Sequence, residues 1–340
     1  MKRINSLDCT NNLKYCVQFF NRAKDQLMLD YNYKMYKPTT KKEDVNFFRN
    51  DWTTLAFRAF QEIQKNKCIK DLCIIGTSTG LDGIGAIEIF GPEGIYITDI
   101  YQDVVALASS NIKNNLKPSI KPRINNFTSF FFEAENFNMS RFDLIYENLP
   151  NLPEDMTNDF DEQPASASFS PQFPNNINGI VKTIPKKYTD YLLTSHYIFL
   201  LQAKQFLKEH GIVLCSIGGR LDISIVLEMF SYLGYEPEIL VYDIKLQNEA
   251  ITNIPAYAKC EKDLFSAQQD TFRFYDYKAV INDLEKIEGY DKLSGWLNKK
   301  DEIRKYLLDK TLSANEAYEI TLKNEKIAHE VYLISGKLLT

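Results

Sequence analysis

Leu72-Cys73-Ile74-Ile75-Gly76-Thr77-Ser78-Thr79-Gly80-Leu81-Asp82-Gly83-Ile84-Gly85 is the stretch that decides the fold of this chain. The apolar run Leu72–Ile75 has the length of a buried strand, and it enters a turn bounded by Gly76 and Gly80. Beyond the turn, Leu81 to Phe90 carries its apolar side chains at helical spacing. The same texture repeats downstream. Ile95–Thr98 is a strand ending on Asp99, Val104 to Ile112 is helical, a strand falls within Arg123–Phe132, and Phe142–Tyr146 leads into Glu147-Asn148-Leu149-Pro150-Asn151. Further strands are expected at Ile212–Ile217, Glu238–Tyr242 and His329–Leu339, with helices over Tyr188–Glu209 and Ile223–Leu233. Strands alternating with helices predict a parallel sheet covered on both faces.

Outward from that core, apolar spacing predicts an amphipathic helix over 11–29 and another from Asp51 to Ile63, which together form an N-terminal helical cap over residues 1–69. The core is expected over 70–340. Residues 151–185 are polar and proline-bearing, as in a loop or lid. An insertion over 248–327 is aromatic first, around Phe272-Arg273-Phe274-Tyr275, and then helical, with Ser313 and Glu316 spaced as a capping box.

The chain has 340 residues, 44% hydrophobic and 25% charged, ordinary usage for a globular protein with a sizeable core. Its net charge of −5 gives no broad attraction to a phosphate backbone, and no separate basic module stands out, which speaks against a nucleic-acid partner. The histidines are His196, His210 and His329, none at the spacing of a helical metal pair, so no metal site is expected. No C-x-x-C pair occurs, and Cys73 and Cys215 lie within apolar runs that suit buried thiols. The absence of a signal-like or membrane-length apolar run predicts a soluble, cytoplasmic protein.

A glycine-bearing turn that opens a helix presents free N–H groups to a ligand, and small residues let the ligand approach the backbone. Asp99, at the end of the next strand, is placed to accept hydrogen bonds from two ribose hydroxyls. The ordered pair points to a nucleoside-containing ligand. A plain tight turn and a helix-capping Asp are the alternative.

With these residues the sequence resembles the class I S-adenosylmethionine-dependent methyltransferases, from about residue 70 to 248 and again at the last strand. The resemblance implies a Rossmann-like, doubly wound α/β fold whose seven-stranded sheet has its last strand antiparallel. It implies S-adenosylmethionine as cofactor, bound by Gly76, Thr77, Ser78 and Gly80 and by Asp99 with Ile100. The family's middle glycine is replaced by Ser78, and Ile74 stands where an acid is usual. Asp82 either substitutes for that acid or complements the helix N-terminus. Ser129 falls about where an adenine-side acid would lie.

Asn148-Leu149-Pro150-Asn151 looks like a variant of the Asn-Pro-Pro-Tyr motif of methyltransferases that act on planar nitrogen. Such a nitrogen has a delocalised lone pair, so acceptors must hold its N–H groups and aim it at the methyl carbon. The Asn148 side chain and Leu149 carbonyl supply acceptors, with Pro150 fixing the turn. Asn151 replaces the stacking aromatic. His196 is a candidate base or a structural helix-face histidine. Phe274, with Phe160, Phe169, Phe173, Phe272 and Tyr275, either lines a substrate pocket or packs in the core.

The preferred function is methylation of a small amine, amide or amino-acid-like substrate by direct displacement. The alternatives are a protein glutamine N-methyltransferase, a non-catalytic methyltransferase-like binding subunit, and a nicotinamide-dependent oxidoreductase. Against the last, Gly80-Leu81-Asp82-Gly83-Ile84-Gly85 has the wrong glycine order for a dinucleotide fingerprint.

Overall fold

A computed structural model of the chain describes residues 4–8, 28–31, 52–116, 119–132, 137, 140–151, 153, 175–247, 250–265 and 271–339. Its main sheet is built from β3 (Asp71–Ile75), β4 (Gly94–Asp99), β5 (Arg123–Thr128), β6 (Phe142–Glu147), β7 (Leu207–Gly219), β8 (Tyr235–Leu246) and β10 (Ile327–Leu338), in the order β5-β4-β3-β6-β7-β10-β8. Pairing is parallel from β5 through β7, and β10 runs antiparallel to both β7 and β8. A short β9 (Tyr275–Asp276) pairs with the start of β10. The carboxyl ends of the parallel strands therefore share one rim with the amino end of β10. This is the seven-stranded doubly wound order, with its last strand antiparallel, expected from the sequence.

Period-two alternation sorts each strand between two apolar layers. Leu72 and Ile74 enter one cluster, with Phe57, Ile84 and Ile112, while Cys73 and Ile75 enter the other, with Ile198, Phe199 and Phe230. The first layer consists of α1 (Trp52–Gln64), α2 (Leu81–Phe90) and α3 (Gln102–Asn115), and the second includes α4 (Asn175–Val181), α5 (Lys186–Asp190), α6 (Thr194–Ala203) and α7 (Ile223–Tyr232). The Cys73 and Cys215 thiols are fully buried, as expected, and burial pushes their pKa values up.

Several elements differ from expectation. The helix α1 belongs to the core layer rather than to a separate cap: its Phe57 ring occupies the space a side chain on Gly85 would need. Arg58 on the same helix lies 2.8 Å from the Asp243 carboxylate of β8 and donates to the Leu293 carbonyl at 2.7 Å. Removing either partner of such a buried pair costs about 3–5 kcal/mol. Met28 and Leu29, expected at the end of a leading helix, lie in β2 (Met28–Tyr31), which pairs antiparallel with β1 (Ile4–Asp8). The rest of that helix, 11–27, lies outside the described residues.

The long helix expected over Tyr188–Glu209 is instead α5 and α6, separated at Leu192, whose φ is +62°, and Leu207 already pairs with Phe142 as the first residue of β7. The left-handed turn lets Tyr188 and Ile198 both reach the core, which one straight helix would not do. The end of the expected lid is also core, since Ile177 and Ile184 are buried. Residues 154–174, with Phe160, Phe169 and Phe173, lie outside the described residues.

In the insertion, a helix precedes the aromatic stretch: α8 (Ala250–Phe265) contains Pro255 and buries Ile254, Tyr257, Ala258 and Glu261 at helical spacing. The remaining helices are α9 (Tyr277–Leu284), α10 (Lys300–Leu308) and α11 (Ala314–Thr321), the last opening on the predicted Ser313/Glu316 capping box. Glu261 accepts from the Ala314 and Phe272 N–H groups, tying α8 to the N-terminus of α11. No helix among the described residues is long and apolar enough to cross a membrane.

Candidate functional site

The glycine turn, Asp99, Ser129 and the Asn148 loop lie along the rim formed by the strand ends. After β3 the chain turns through Gly76, Ser78 and Gly80, all with left-handed φ values of +76°, +44° and +80°. Ser78 thus adopts the conformation for which the middle position of this turn normally uses glycine, at a cost of ~1–2 kcal/mol for a residue with a Cβ. The Gly76 and Thr77 N–H groups both donate to the Thr98 carbonyl, at 3.0 and 2.8 Å, which fixes the turn to β4. A Cβ on Gly80 would come within 2.8 Å of the Ala108 carbonyl, so only glycine lets α3 pack this closely behind the turn. Asn111 on α3 donates to the Thr79 carbonyl at 2.9 Å and holds it from the same side.

Asp99 lies across from this turn. Its carboxylate accepts the Ser78 N–H at 3.2 Å and the Tyr101 N–H at 3.4 Å. Burial raises its pKa to about 6 despite those bonds and the Ile100 N–H, because a carboxylate loses hydration there. Ser129 is buried at the end of β5; its N–H donates to the Asp99 carbonyl at 2.9 Å and its hydroxyl to the Phe131 carbonyl at 3.2 Å.

Ile74 is fully buried in the helical layer, so this position has no polar group to offer a ligand. Asp82 accepts the Tyr146 hydroxyl at 3.2 Å, which ties the first turn of α2 to β6.

The Asn148 loop leaves β6 beside the glycine turn: Leu149 Cδ2 lies 3.3 Å from where a Cβ on Gly76 would sit. Its backbone is pinned from behind. Glu147 is fully buried and accepts the Leu149 N–H at 2.6 Å, and its other oxygen lies 2.7 Å from His196 Nδ1. His196 is itself fully buried and its Nε2 has no partner among the described residues. It reaches the loop only through Glu147, as a positioning group. The Asn148 side chain and the Leu149 carbonyl, by contrast, make no hydrogen bond among the described residues, and both residues are half-buried.

Asn151 is bound into a network of its own. Its amide donates to the Gly218 carbonyl at 3.0 Å, its side-chain oxygen accepts Arg220 Nη1 at 3.1 Å, and its backbone carbonyl accepts the Tyr257 hydroxyl at 2.6 Å. Arg220 also donates through Nε to Gln247 at 2.9 Å and through Nη2 to His329 Nε2 at 3.2 Å. The His329 Nδ1–H then donates to the Glu330 carbonyl at 2.6 Å, and burial together with Arg220 and Lys245 holds this histidine neutral.

Phe274 is fully buried; its ring stands edge-on to Tyr257 and its backbone pairs with Leu312, so it supports α8 instead of facing an open pocket. Glu147, Arg220, Gln247, Tyr257 and His329 were not singled out from sequence as site residues. Glu147 was legible as the last residue of a strand preceding the Asn148 motif, and Arg220 as the residue after Gly218-Gly219.

No family model matches the chain. Among curated proteins it is 25% identical over 150 residues to the ribosomal protein uL3 glutamine methyltransferase of Francisella tularensis, a match covering 44% of this chain and 41% of that protein. Among solved structures it is similar to the ribosomal protein L11 methylase of Lactobacillus delbrueckii, at 15% identity and a TM-score of 0.36 over 56% of this chain and 71% of that one. It is also similar to the YcgJ protein of Bacillus subtilis, at 11% identity and a TM-score of 0.42 over 84% and 98% of the two chains. The strand order, together with a curated relative that is a methyltransferase, bears out the class I methyltransferase resemblance and the α/β fold class.

Proposed function

We propose that this chain is an S-adenosylmethionine-dependent methyltransferase that methylates nitrogen in a small amine, amide or amino-acid-like acceptor. The observation that carries this is the pair of unbonded acceptors, the Asn148 side chain and the Leu149 carbonyl, on a pinned loop that touches the glycine turn. The residues fit the cofactor. The Gly76–Gly80 backbone would face its amino-acid end, Asp99 its ribose, and Ser129 the adenine side, while the bare Gly76 and Gly80 keep the cradle free of side chains.

When bound, S-adenosylmethionine would supply a methyl group on a sulfonium that departs as a neutral thioether, the proton released from the methylated nitrogen passing to solvent. The chain's own contribution is alignment. Asn148 and the Leu149 carbonyl accept the acceptor's N–H groups and hold its nitrogen toward the turn, and the Glu147–His196 pair keeps the Leu149 peptide from rotating. Ser78, by keeping a left-handed φ, retains the turn despite the changed glycine, which favours catalysis over a non-catalytic subunit. The antiparallel β10 between β7 and β8 favours the methyltransferase over a nicotinamide-dependent oxidoreductase.

The preference for a small acceptor rests on Asn151 and Arg220, 7% and 5% exposed beneath Tyr257, which leaves little room for a polypeptide segment there. A protein glutamine is the second reading, motivated by the curated relative and by the Asn148 motif. The test is incubation with methyl-labelled S-adenosylmethionine and, separately, the small-molecule and protein fractions of the source cells. Label in the small-molecule fraction, lost in Asn148→Ala, supports the proposal. Label confined to protein supports the glutamine reading, and no label in either removes both.

A further inference from the structure

Arg220 is a buried cation with no anionic partner among the described residues. Its hydrogen bonds go to Asn151, Gln247 and His329, all neutral, and its guanidinium lies 5.3 Å from the centre of the Tyr257 ring. The buried carboxylate beside His329, that of Glu330, is engaged by the hydroxyls of Tyr242, Tyr332 and Tyr275, at 2.8, 2.6 and 3.0 Å. Lys245, in register with His329 on the neighbouring strand, adds a second cation to the same end of the sheet. A charge taken out of water without a counter-ion is costly, and a purely structural arginine in a fold of this kind would be paired.

Beyond those three bonds the guanidinium meets the Tyr257 side chain, so no carboxylate among the described residues balances its charge, the role a carboxylate on a ligand would fill. Arg220 is bonded to Asn151, three residues after Asn148, so its guanidinium is anchored to the end of the short loop that carries the nitrogen-holding acceptors, a span of at most ~10 Å from Asn148 to Asn151. We propose that Arg220, held in place by Asn151, Gln247 and His329, is the receptor for a carboxylate on the methyl acceptor. The substrate is then a small carboxylate-bearing amine or amide rather than a residue within a polypeptide. This rests on the proposed methyltransferase function and deepens it.

The test compares methyl labelling of two portions of the small-molecule fraction of the source cells, one untreated and one with its carboxylates converted to neutral methylamides by carbodiimide and methylamine. The full-length protein is expected to label the untreated portion and to label the blocked portion at least tenfold less. Arg220→Met and Arg220→Lys should label the untreated portion at least tenfold less than the unaltered protein, while binding S-adenosylmethionine within about twofold of it by calorimetry. Equal labelling of both portions overturns the proposal with no variant required, as does label confined to protein. Labelled product that survives blocking but loses its charge to phosphatase also overturns it, in favour of a phosphate. Failure of the unaltered protein to bind S-adenosylmethionine instead removes the function on which the proposal rests.

Discussion

The two halves of the site rim are built in different ways. Beneath β3, β4 and β5 the contacts are made by backbone, with left-handed turns at Gly76, Ser78 and Gly80 and one acid at a strand end. Beneath β6, β7, β10 and β8 they are made by side chains, a network in which Asn151, Arg220, Gln247, Tyr257 and His329 each come from a different segment. A backbone cradle tolerates few residues at fixed local spacing. A side-chain network needs only that distant residues meet. In the proposed function the first half holds the cofactor and the second holds the methyl acceptor.

The largest effect separating the halves is expected from Asn148→Ala, which removes an acceptor on the substrate side only. Turnover should fall on the order of 100-fold, the scale of losing one preorganised hydrogen bond in a reacting site, with cofactor affinity unchanged in calorimetry. A parallel loss of cofactor affinity would mean that the halves are not separable there.

Glu147→Gln is expected next. It keeps the shape of the side chain but forces His196 and the Leu149 N–H to share a neutral amide. Turnover should fall about tenfold and stability by about 1–3 kcal/mol in urea unfolding, again with little change in cofactor binding. Unaltered turnover would make the Glu147–His196 pair purely a fold element.

On the cofactor side, Asp99 gives a pH dependence of similar size. Its pKa, raised to about 6 in the folded chain, means that the carboxylate proposed to accept ribose hydroxyls is mostly present above pH 6 and is lost below it. Cofactor affinity should therefore fall about tenfold between pH 7 and pH 5, the span over which a group of that pKa protonates, and Asp99→Asn should flatten the profile. The linkage to stability has the opposite sense. Folding favours the neutral acid, so Asp99's contribution is greatest below its unfolded value and declines as pH rises through the range up to about 6. A profile in which affinity rises on acidification would contradict this assignment.

The smallest effect is expected from Ser78→Gly. Relief of the left-handed strain should raise stability by about 1 kcal/mol or less, since glycine's greater unfolded-state entropy offsets part of the gain. Thermal unfolding measures it.

This contrast also explains what was legible in the sequence. The strand, turn and helix at Leu72–Phe90, and Asp99 after the next strand, are local patterns, and the structure places them on the rim as expected. The Asn148 loop was likewise visible as a strand end. Arg220 and His329 acquire meaning only when β10 inserts between β7 and β8, and Tyr257 only when α8 folds back over Asn151. That helix contains Pro255, which its local sequence reads as a breaker, and Phe274 in the aromatic stretch that follows is packing that supports it. Position 192 shows the same limit on a smaller scale: nothing in a leucine announces a φ of +62°, which is imposed by core packing on both sides.

Calorimetric titration of S-adenosylmethionine into the full-length protein and into Asp99→Ala tests the central claim most directly. The account predicts saturable binding by the unaltered chain, weakened at least tenfold in Asp99→Ala, about the 1.4 kcal/mol expected from losing a hydrogen bond to a charged acceptor. No detectable binding by the unaltered chain, or equal affinity in the two proteins, would contradict it.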